Sequence, residues 1–424
     1  MVSETTPLQR PIDYEDEEFS WFGRLMIRIG SSKRLLWGLG LIIGLPIVCF
    51  LLVFLPSLAP PSADIPDLIK VGRLPVYLHP LIPPKDPKVA HYGTTNDNYN
   101  DPESPIKNVP NFEKWSLLDK DTKLFRRHFR KLETAASQRP AKRLILIGDV
   151  HGSLYELQKL LKHVRYDGGR YDHVVLLGDF LAKGKNSLGV LEYAIQNRID
   201  CILGNHEWEV LKRYVQYHGL PSLGFNESKN EVSATEQYDL DEQMRIAKRL
   251  MPEHIDYISR CPLIKELGPV PRMTNKKQTK YASIPANGVA VHGGLVWSVE
   301  DLQDQDPEAV LTMRNLLPPD YTIPTENRHE MVDGKKSKPW TRFWTQRQHE
   351  VVANASVDAF VAGTKVYYGH DAKRGVTFRE FSTGLDSGCV YGAQLSAEII
   401  WSEVVSTKSE HRIVYRRMFT QVNC

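Results

Sequence analysis

Between residues 143 and 218, short apolar runs alternate with amphipathic stretches, and each run stops at a glycine beside Asp or Asn. The runs are "RLILIGD" (143–149), "HVVLLGD" (173–179) and "CILGNHE" (201–207), and each reads as a buried strand. Between the first two, "SLYELQKLLKHV" sets Leu154, Leu157, Leu161 and Val164 on one helical face, with Ser153 at the N-cap. "SLGVLEYAIQN" and "WEVLKRYVQY" repeat the helical spacing. Strand–helix alternation of this length predicts βαβ units with right-handed crossovers, hence an α/β fold built on a largely parallel sheet. Two later runs, "GVAVHGG" and "KVYYGH", rejoin that core, while the polar stretches 222–245 and 318–338 read as surface loops.

The strand ends carry the chemistry. "GDVHG" (148–152), "GDFLAKG" (178–184), "GNHE" (204–207), "HGG" (292–294) and "GH" (369–370) all place Asp, Asn or His beside glycine where an apolar run ends. In open α/β sheets ligands bind beyond the carboxyl ends of the strands, so these clusters are expected to converge. A single "GD" after a strand is an ordinary turn, and a lone His such as His370 is an ordinary structural residue; five together are not. Carboxylate and amide oxygens with imidazole nitrogens, and no cysteine, suit two divalent ions of the Zn, Mn or Fe type. A pair of such ions can activate water and neutralise phosphoryl oxygens. Asp179, on the middle strand of the first three, is the natural bridging carboxylate.

The ordered series GDxHG, GDxxxxG, GNHE, HGG and GH resembles the metallophosphoesterases of the phosphoprotein-phosphatase superfamily, over roughly residues 143–400. The resemblance implies the calcineurin-like fold, a β-sandwich flanked by helices, and a two-metal hydrolase acting without a covalent phosphoenzyme. It implies Asp149 and His151 on one metal, Asp179 bridging, and Asn205, His292 and His370 on the other. His206 would protonate the leaving oxygen or stabilise the phosphoryl group. Protein phosphatases of this superfamily carry GDxxDRG, whereas this chain has Ala182 and Lys183 there, as the diadenosine-tetraphosphatase-like branch does. Ala182 leaves His206 without the usual carboxylate partner. "GHDAKRG", "GLDSGCVYGAQLSA" and "KPWTRFW" resemble the same branch, and within it the fungal vacuolar endopolyphosphatases. That likeness implies zinc, inorganic polyphosphate or a related phosphoanhydride as substrate, and internal cleavage. Lys183, Arg374 and Arg342 are the candidate phosphate-binding residues, with Lys373 and Lys185 beside them. Hydrolysis of diadenosine polyphosphates or of phosphoserine and phosphothreonine are the alternatives of the same class. A non-catalytic, membrane-anchored polyanion-binding protein is the alternative of another.

"LLWGLGLIIGLPIVCFLLVFL" (35–55) carries no charge and is apolar on every face. It is long enough to cross a bilayer, which takes about 20 residues, and exceeds the roughly 7–15 of a cleavable signal. Arg24, Arg28, Lys33 and Arg34 precede it, and Asp64 and Asp67 follow. The positive-inside rule therefore predicts a cytosolic tail (1–34), a transmembrane anchor (35–56), a lumenal Pro-rich stalk with a covering helix (57–140) and a lumenal catalytic domain (141–424). The expectation is a single-pass type II protein of the vacuole. Sequons at Asn226 and Asn354 agree with a lumenal domain. A formal charge of +3 is too small to predict a nucleic-acid surface. The five cysteines show no CxxC spacing, and their odd number argues against a disulfide-stapled scaffold.

Overall fold

The computed structural model describes residues 33–54, 60–74, 108–109, 142–169, 171–221, 223–225, 240–272, 285–355, 361–406 and 411–424. The chain divides into two compact units, residues 1–59 and 60–424. In the first unit, α1 (Lys33–Cys49) is a 17-residue helix, continued by a π-helical turn over Phe50–Phe54. The regular helix is thus shorter than the 35–56 span that the apolar run predicts. Pro46 lies within it, and proline withdraws a backbone donor from the helical ladder. None of the described helices is long and apolar enough to cross a membrane. Its side chains remain strongly apolar and open, with Trp37, Leu41, Ile42 and Leu45 all exposed.

The second unit is built on two six-stranded sheets. The main-sheet strands are β1 (Val71–Arg73), β2 (Asn108–Val109), β3 (Arg143–Ile147), β4 (Asp172–Leu176), β5 (Asp200–Cys201) and β6 (Ile264–Val270). They continue with β7 (Ala286–Val291), β8 (Thr364–Tyr368), β9 (Thr377–Arg379), β10 (Ser382–Gly384), β11 (Gln394–Ser406) and β12 (His411–Asn423). One sheet runs β2-β12-β11-β3-β4-β5, the other β1-β6-β7-β8-β10-β9. As the alternation predicts, β3, β4 and β5 pair in parallel. The connecting helices are α2 (Leu154–His163) and α3 (Ser187–Gln196), and α4 (Asn205–His218) follows β5. Ser153 does occupy the N-cap of α2, but its side chain makes no capping bond.

The single largely parallel sheet is corrected to two mixed ones. β7 and β8 pair in parallel with each other, but in the second sheet. The first sheet is extended by the long antiparallel hairpin β11–β12, with β11 against β3. The physical reason lies in β3, all five of whose residues are buried. Alternating side chains face two different layers: Ile145 and Ile147 join the helices, while Leu144 and Leu146 join a second apolar layer. That second layer also holds Leu267, Ala290 and Tyr367 of the other sheet, and Ile400 and Phe419 of the hairpin. It is the glue between the sheets. Truncating a leucine such as Leu146 there is expected to cost about 2–5 kcal/mol.

Three polar or Pro-rich stretches do more than their composition predicts. Residues 318–338, expected as a surface loop, carry Ile323–Thr325 of a small three-stranded sheet and the antiparallel pair Met331–Val332 and Lys335–Lys336. Residues 68–74, placed by composition in a stalk, join the second unit: Leu68 bridges Phe225, and β1 pairs in parallel with β6. Leu68 and Leu74 are fully buried. Within 222–245, α5 (Glu242–Ala247) is a helix packed beside α4 rather than a loop. α6 (Pro252–Ser259), α7 (Pro307–Thr312) and α8 (Trp340–Ala353) complete the helical cover described here. The covering helix expected toward the end of 57–140, and Asn226, lie outside the described residues.

Four cysteines pair, Cys201 with Cys261 and Cys389 with Cys424, and Cys49 is free. The expectation against stapling is corrected: the odd residue belongs to the first unit, and the remaining four close two loops of the second. Disulfides of this kind point to a non-cytosolic compartment.

Candidate active site

The motif residues meet where β3, β4, β7 and β8 end. Asp149 and His151 follow β3, Asp179 follows β4, His292 follows β7, and His370 follows β8. Asn205 and His206 open α4 just beyond β5. The turns that carry them are wound the wrong way for ordinary residues: φ is +45° at His151, +48° at Asp179 and +66° at His370. Within GDFLAKG, Ala182 and Lys183 are also left-handed, at +63° and +60°. Non-glycine residues in this region are strained, and such strain gathers where tertiary structure must aim a functional side chain. Glycine is required where backbones touch. A Cβ on Gly204 would collide with the Asp179 nitrogen, and one on Gly369 with Asp149 Oδ1.

Asp179 is the hub. Its Oδ2 lies 3.2 Å from His292 Nε2, 3.6 Å from His151 Nε2 and 3.9 Å from His206 Nε2. Its Oδ1 accepts the His206 backbone N–H at 3.0 Å. Two possible cation-holding groups share it, one with His151 and His206, the other with His292 and His370. Asn205 Oδ1 is 3.0 Å from His292 Nε2, and Asp149 Oδ2 is 3.8 Å from His151 Nε2. Asp149 also accepts the His370 backbone N–H, at 3.1 Å to Oδ1. All seven residues expected from sequence, the six ligand candidates and His206, are therefore brought together.

The imidazoles are aimed by their far nitrogens. His151 Nδ1–H donates to the Leu181 carbonyl at 3.2 Å, and His292 Nδ1–H to that of Leu177 at 2.8 Å, so each presents Nε2 to the cluster. His370 is reversed, with Nε2–H donating to the Thr312 carbonyl at 2.8 Å, which leaves Nδ1 inward. Fixing a ligand ring through its other nitrogen is how metal sites are preorganised.

The electrostatics call for a cation. Burial raises Asp149 well above the usual carboxylate range, and the charges of Asp386 and Asp179 add to the rise. Burial also acts to raise Asp179, but His292, His151 and His206 outweigh it and hold it well below the ordinary value. Burial lowers His151 to about 4 and His370 well below its usual value, so both offer a lone pair rather than a charge. Burial acts to lower His292, but the Asp179 carboxylate outweighs it and raises the ring above its usual value. Crowded carboxylates beside imidazoles and an amide oxygen form a donor set that fits one or two divalent ions, with Asp179 between them.

Two residues in this centre carry no role in the sequence reading. Asp386, from "LDSG", is buried and reaches the cavity beside Asp149. Glu207 is fully buried and clamps the loops: Oε2 accepts from Asp179 N–H at 2.7 Å and Gly204 N–H at 3.0 Å, Oε1 from Leu181 N–H at 2.8 Å. Burial and the Asp179 charge push Glu207 up to about 8, against the pull of those donors. Its place in GNHE was the available signal.

Asp149, His151, Asp179, Asn205 and His370 of the cluster line a cavity of about 490 Å³, whereas His206 and His292 are not part of its lining. Lys183, Arg314, Arg328 and Lys373 line it, together with Tyr391. Of the phosphate-binding candidates, Lys183 is thus in the cavity. Arg374 turns instead to Asp371 Oδ2 at 2.6 Å and the Arg314 carbonyl at 3.1 Å, bracing the wall. Arg342 sits on the exposed side of α8, and neither it nor Arg374 lines the cavity. Arg314 and Arg328 were not legible, because only the fold carries residues 314–328 to the strand ends. Arg314 donates to the His370 carbonyl at 3.0 Å, and Arg328 Nε to Asp371 Oδ1 at 2.7 Å.

Parts of this chain resemble known proteins. Residues 142–316 match the family described as calcineurin-like phosphoesterase. The zinc-dependent endopolyphosphatase of Saccharomyces cerevisiae is 24% identical over 295 residues, 67% of this chain and 81% of that protein. A symmetrical bis(5'-nucleosyl)-tetraphosphatase of Pseudomonas syringae pv. tomato is 27% identical over 274 residues, 59% of this chain and 83% of that protein. A solved structure described as a putative diadenosine tetraphosphatase is 22% identical, with a TM-score of 0.43, covering 75% of this chain and 98% of that one. The family match spans Asp149, His151, Asp179, Asn205 and His292, so the likeness falls on the assembled cluster itself, and residues 142–316 are the calcineurin-like metallophosphoesterase part of the chain.

Proposed function

We propose that the enzyme hydrolyses phosphoanhydride bonds within inorganic polyphosphate, cutting internally. The observation that carries this reading is the cavity lining: four cationic side chains, Lys183, Arg314, Arg328 and Lys373, surround the Asp/His cluster. One phosphoryl group needs fewer cations, so this lining suits a longer polyanion, although Arg328 also pairs with Asp371 and Arg314 with Glu326. Arginine adds two-pronged recognition of phosphate oxygens, lysine a point charge.

Asp149, His151 and Asp179 would hold one divalent ion, and Asp179, Asn205, His292 and His370 a second, with zinc the favoured identity. When bound, such ions polarise water and offset charge on phosphoryl oxygens. The chain's own residues do the rest. Lys183 and the arginines bind and orient the phosphates on either side of the scissile bond. His206, whose Nε2 lies 3.9 Å from Asp179, offers its Nε2–H as a hydrogen-bond donor that steadies the charge on the bridging oxygen as the P–O bond breaks, and water takes that oxygen's place at phosphorus. Burial lowers the affinity of His206 for a second proton, against the pull of the Asp179 charge.

The surroundings follow the same reading. The apolar segment at 35–56 anchors the chain, with 1–34 cytosolic and the catalytic domain (141–424) in an oxidising lumen, the vacuole. Its supports are the exposed apolar side chains of α1, the flanking charges and the disulfides. Residues 57–140 form the connecting stretch, whose segment 68–74 packs into the catalytic unit. Asn354, exposed at the C-cap of α8, and Asn226 are the glycosylation sites.

A second reading, hydrolysis of dinucleoside polyphosphates, has one observation in its favour. Tyr391 stands 73% exposed at the cavity rim, where a base could stack on it. The test is the full chain, loaded in turn with Zn, Mn, Co and Mg, on long-chain polyphosphate and on diadenosine tetraphosphate, with products sized on a gel. Polyphosphate fragments of intermediate length are expected. Orthophosphate alone with long chains persisting would overturn internal cleavage, and turnover of the dinucleotide alone would favour the second reading.

A further inference from the structure

His206 needs a partner at Nδ1, and the loop that could have supplied an acid has Ala182, a buried residue with no polar side chain. The partner comes from elsewhere. Gln243 Nε2–H donates to His206 Nδ1 at 3.2 Å. Gln243 sits in the first turn of α5, and that helix is tied to α4, which carries His206. The tie is Asp241, the N-cap of α5: its Oδ1 accepts from Met244 N–H at 2.8 Å, and its Oδ2 is gripped by Arg213 at 3.1 and 2.9 Å. Arg213 lies two turns along α4 from His206. One helix thus presents the histidine and anchors the segment that holds it.

We propose that Gln243 is the positioning residue for His206, fixing the ring with its hydrogen on Nε2, in the place a carboxylate would otherwise fill. An amide N–H can bond only the lone pair of a neutral imidazole, so the remaining hydrogen must sit on Nε2, the nitrogen that faces Asp179. The chemical consequence differs from that of a carboxylate. A carboxylate partner would stabilise an imidazolium, as full proton donation to an alkoxide demands. An amide steadies a neutral donor, sufficient for a phosphate leaving group, which departs with little need of a proton. With Glu242 near but the ring nitrogen bonded to the Gln243 amide rather than to an acid, the site is tuned toward phosphoanhydrides and away from alkyl phosphate esters.

The inference rests on the leaving-group role of His206 proposed above, and the experiment separates the two. Full-length enzyme and the variants Gln243→Met, His206→Ala and their double would be loaded with Mn and assayed on long-chain polyphosphate, with metal content measured for each. Gln243→Met is expected to lower kcat by about tenfold or more with KM within about threefold. In the His206→Ala background it should lower kcat no further. Unchanged kcat, or losses that multiply in the double variant, would overturn the positioning role. A harmless His206→Ala would instead remove the leaving-group role beneath it. Gln243→Glu supplies an independent measure: it should raise turnover of an alkyl phosphomonoester relative to polyphosphate by about tenfold. An unchanged ratio refutes the selectivity argument even if the methionine variant fails to fold.

Discussion

Replacing Glu207 by glutamine tests what holds the metal-ligating loops in their strained turns. Its two oxygens receive three backbone N–H groups, from Asp179, Gly204 and Leu181, in a site closed to solvent. Glutamine keeps the volume but turns one oxygen into an NH2 group, which cannot accept. In the better orientation the NH2 replaces Oε1 and only the Leu181 N–H, now 2.8 Å from another donor, is orphaned. In the worse one, both Asp179 and Gly204 lose their acceptor. A buried donor left unpaired costs about 1–3 kcal/mol, so the better orientation predicts a loss of about 2 kcal/mol in stability. Function should suffer more, because the freed N–H groups belong to the turn that aims Asp179. Groups that orient ligands typically change metal affinity or activity by about 10–100-fold. Urea unfolding of the metal-free protein gives the first number, and metal titration the second. A variant within about 0.5 kcal/mol of wild type, with unchanged metal affinity, would refute the clamp.

Three further outcomes follow from the same structure. Chelation should abolish turnover and lower the unfolding temperature, both restored by Zn or Mn; Asp179→Asn should not be restored, and surviving activity would remove Asp179 as the shared ligand. Burial acts to raise Asp200, but His173 and Lys265 overcome it and bring it down to about 2. A depressed carboxylate stabilises the fold above about pH 4 and loses that effect as pH falls toward 2, so Asp200→Asn should cost on the order of 2 kcal/mol at pH 7 and much less at pH 2; an equal gap in urea stability at both pH values refutes this. Tyr391→Ala should leave polyphosphate kinetics unchanged if chains are the substrate; a rise in KM confined to diadenosine tetraphosphate, of the size of about 1–3 kcal/mol per stacked base, would instead support the nucleotide reading.

The parallel core β3-β4-β5 and the convergence of seven motif residues were legible because both are local. A buried strand announces itself by an apolar run, and the residue after it must turn at the sheet's edge, where a ligand can sit. Nothing local told that β7 and β8 lie in another sheet from β3. Their apolar runs are alike, and the choice is made by the long hairpin β11–β12, which occupies the β3 edge that they would need. The same limit applies to charge. Arg342 and Arg374 stood near motif residues, yet one faces solvent and the other braces Asp371, while Arg314 and Arg328 reach the cavity from the ends of a pair of short antiparallel strands with no motif.

The sequence by itself determined the chemistry of the cluster: which strand ends bear oxygen and nitrogen donors, in which order, and that no thiolate is among them. Tertiary structure decided what surrounds that cluster. It pairs Cys389 with Cys424, threads β1 into a sheet, and lays Gln243 against His206 across 37 residues of chain. Donor identity is written in side-chain type, but partnership is a matter of distance, and distances between remote segments exist only once the sheets have packed.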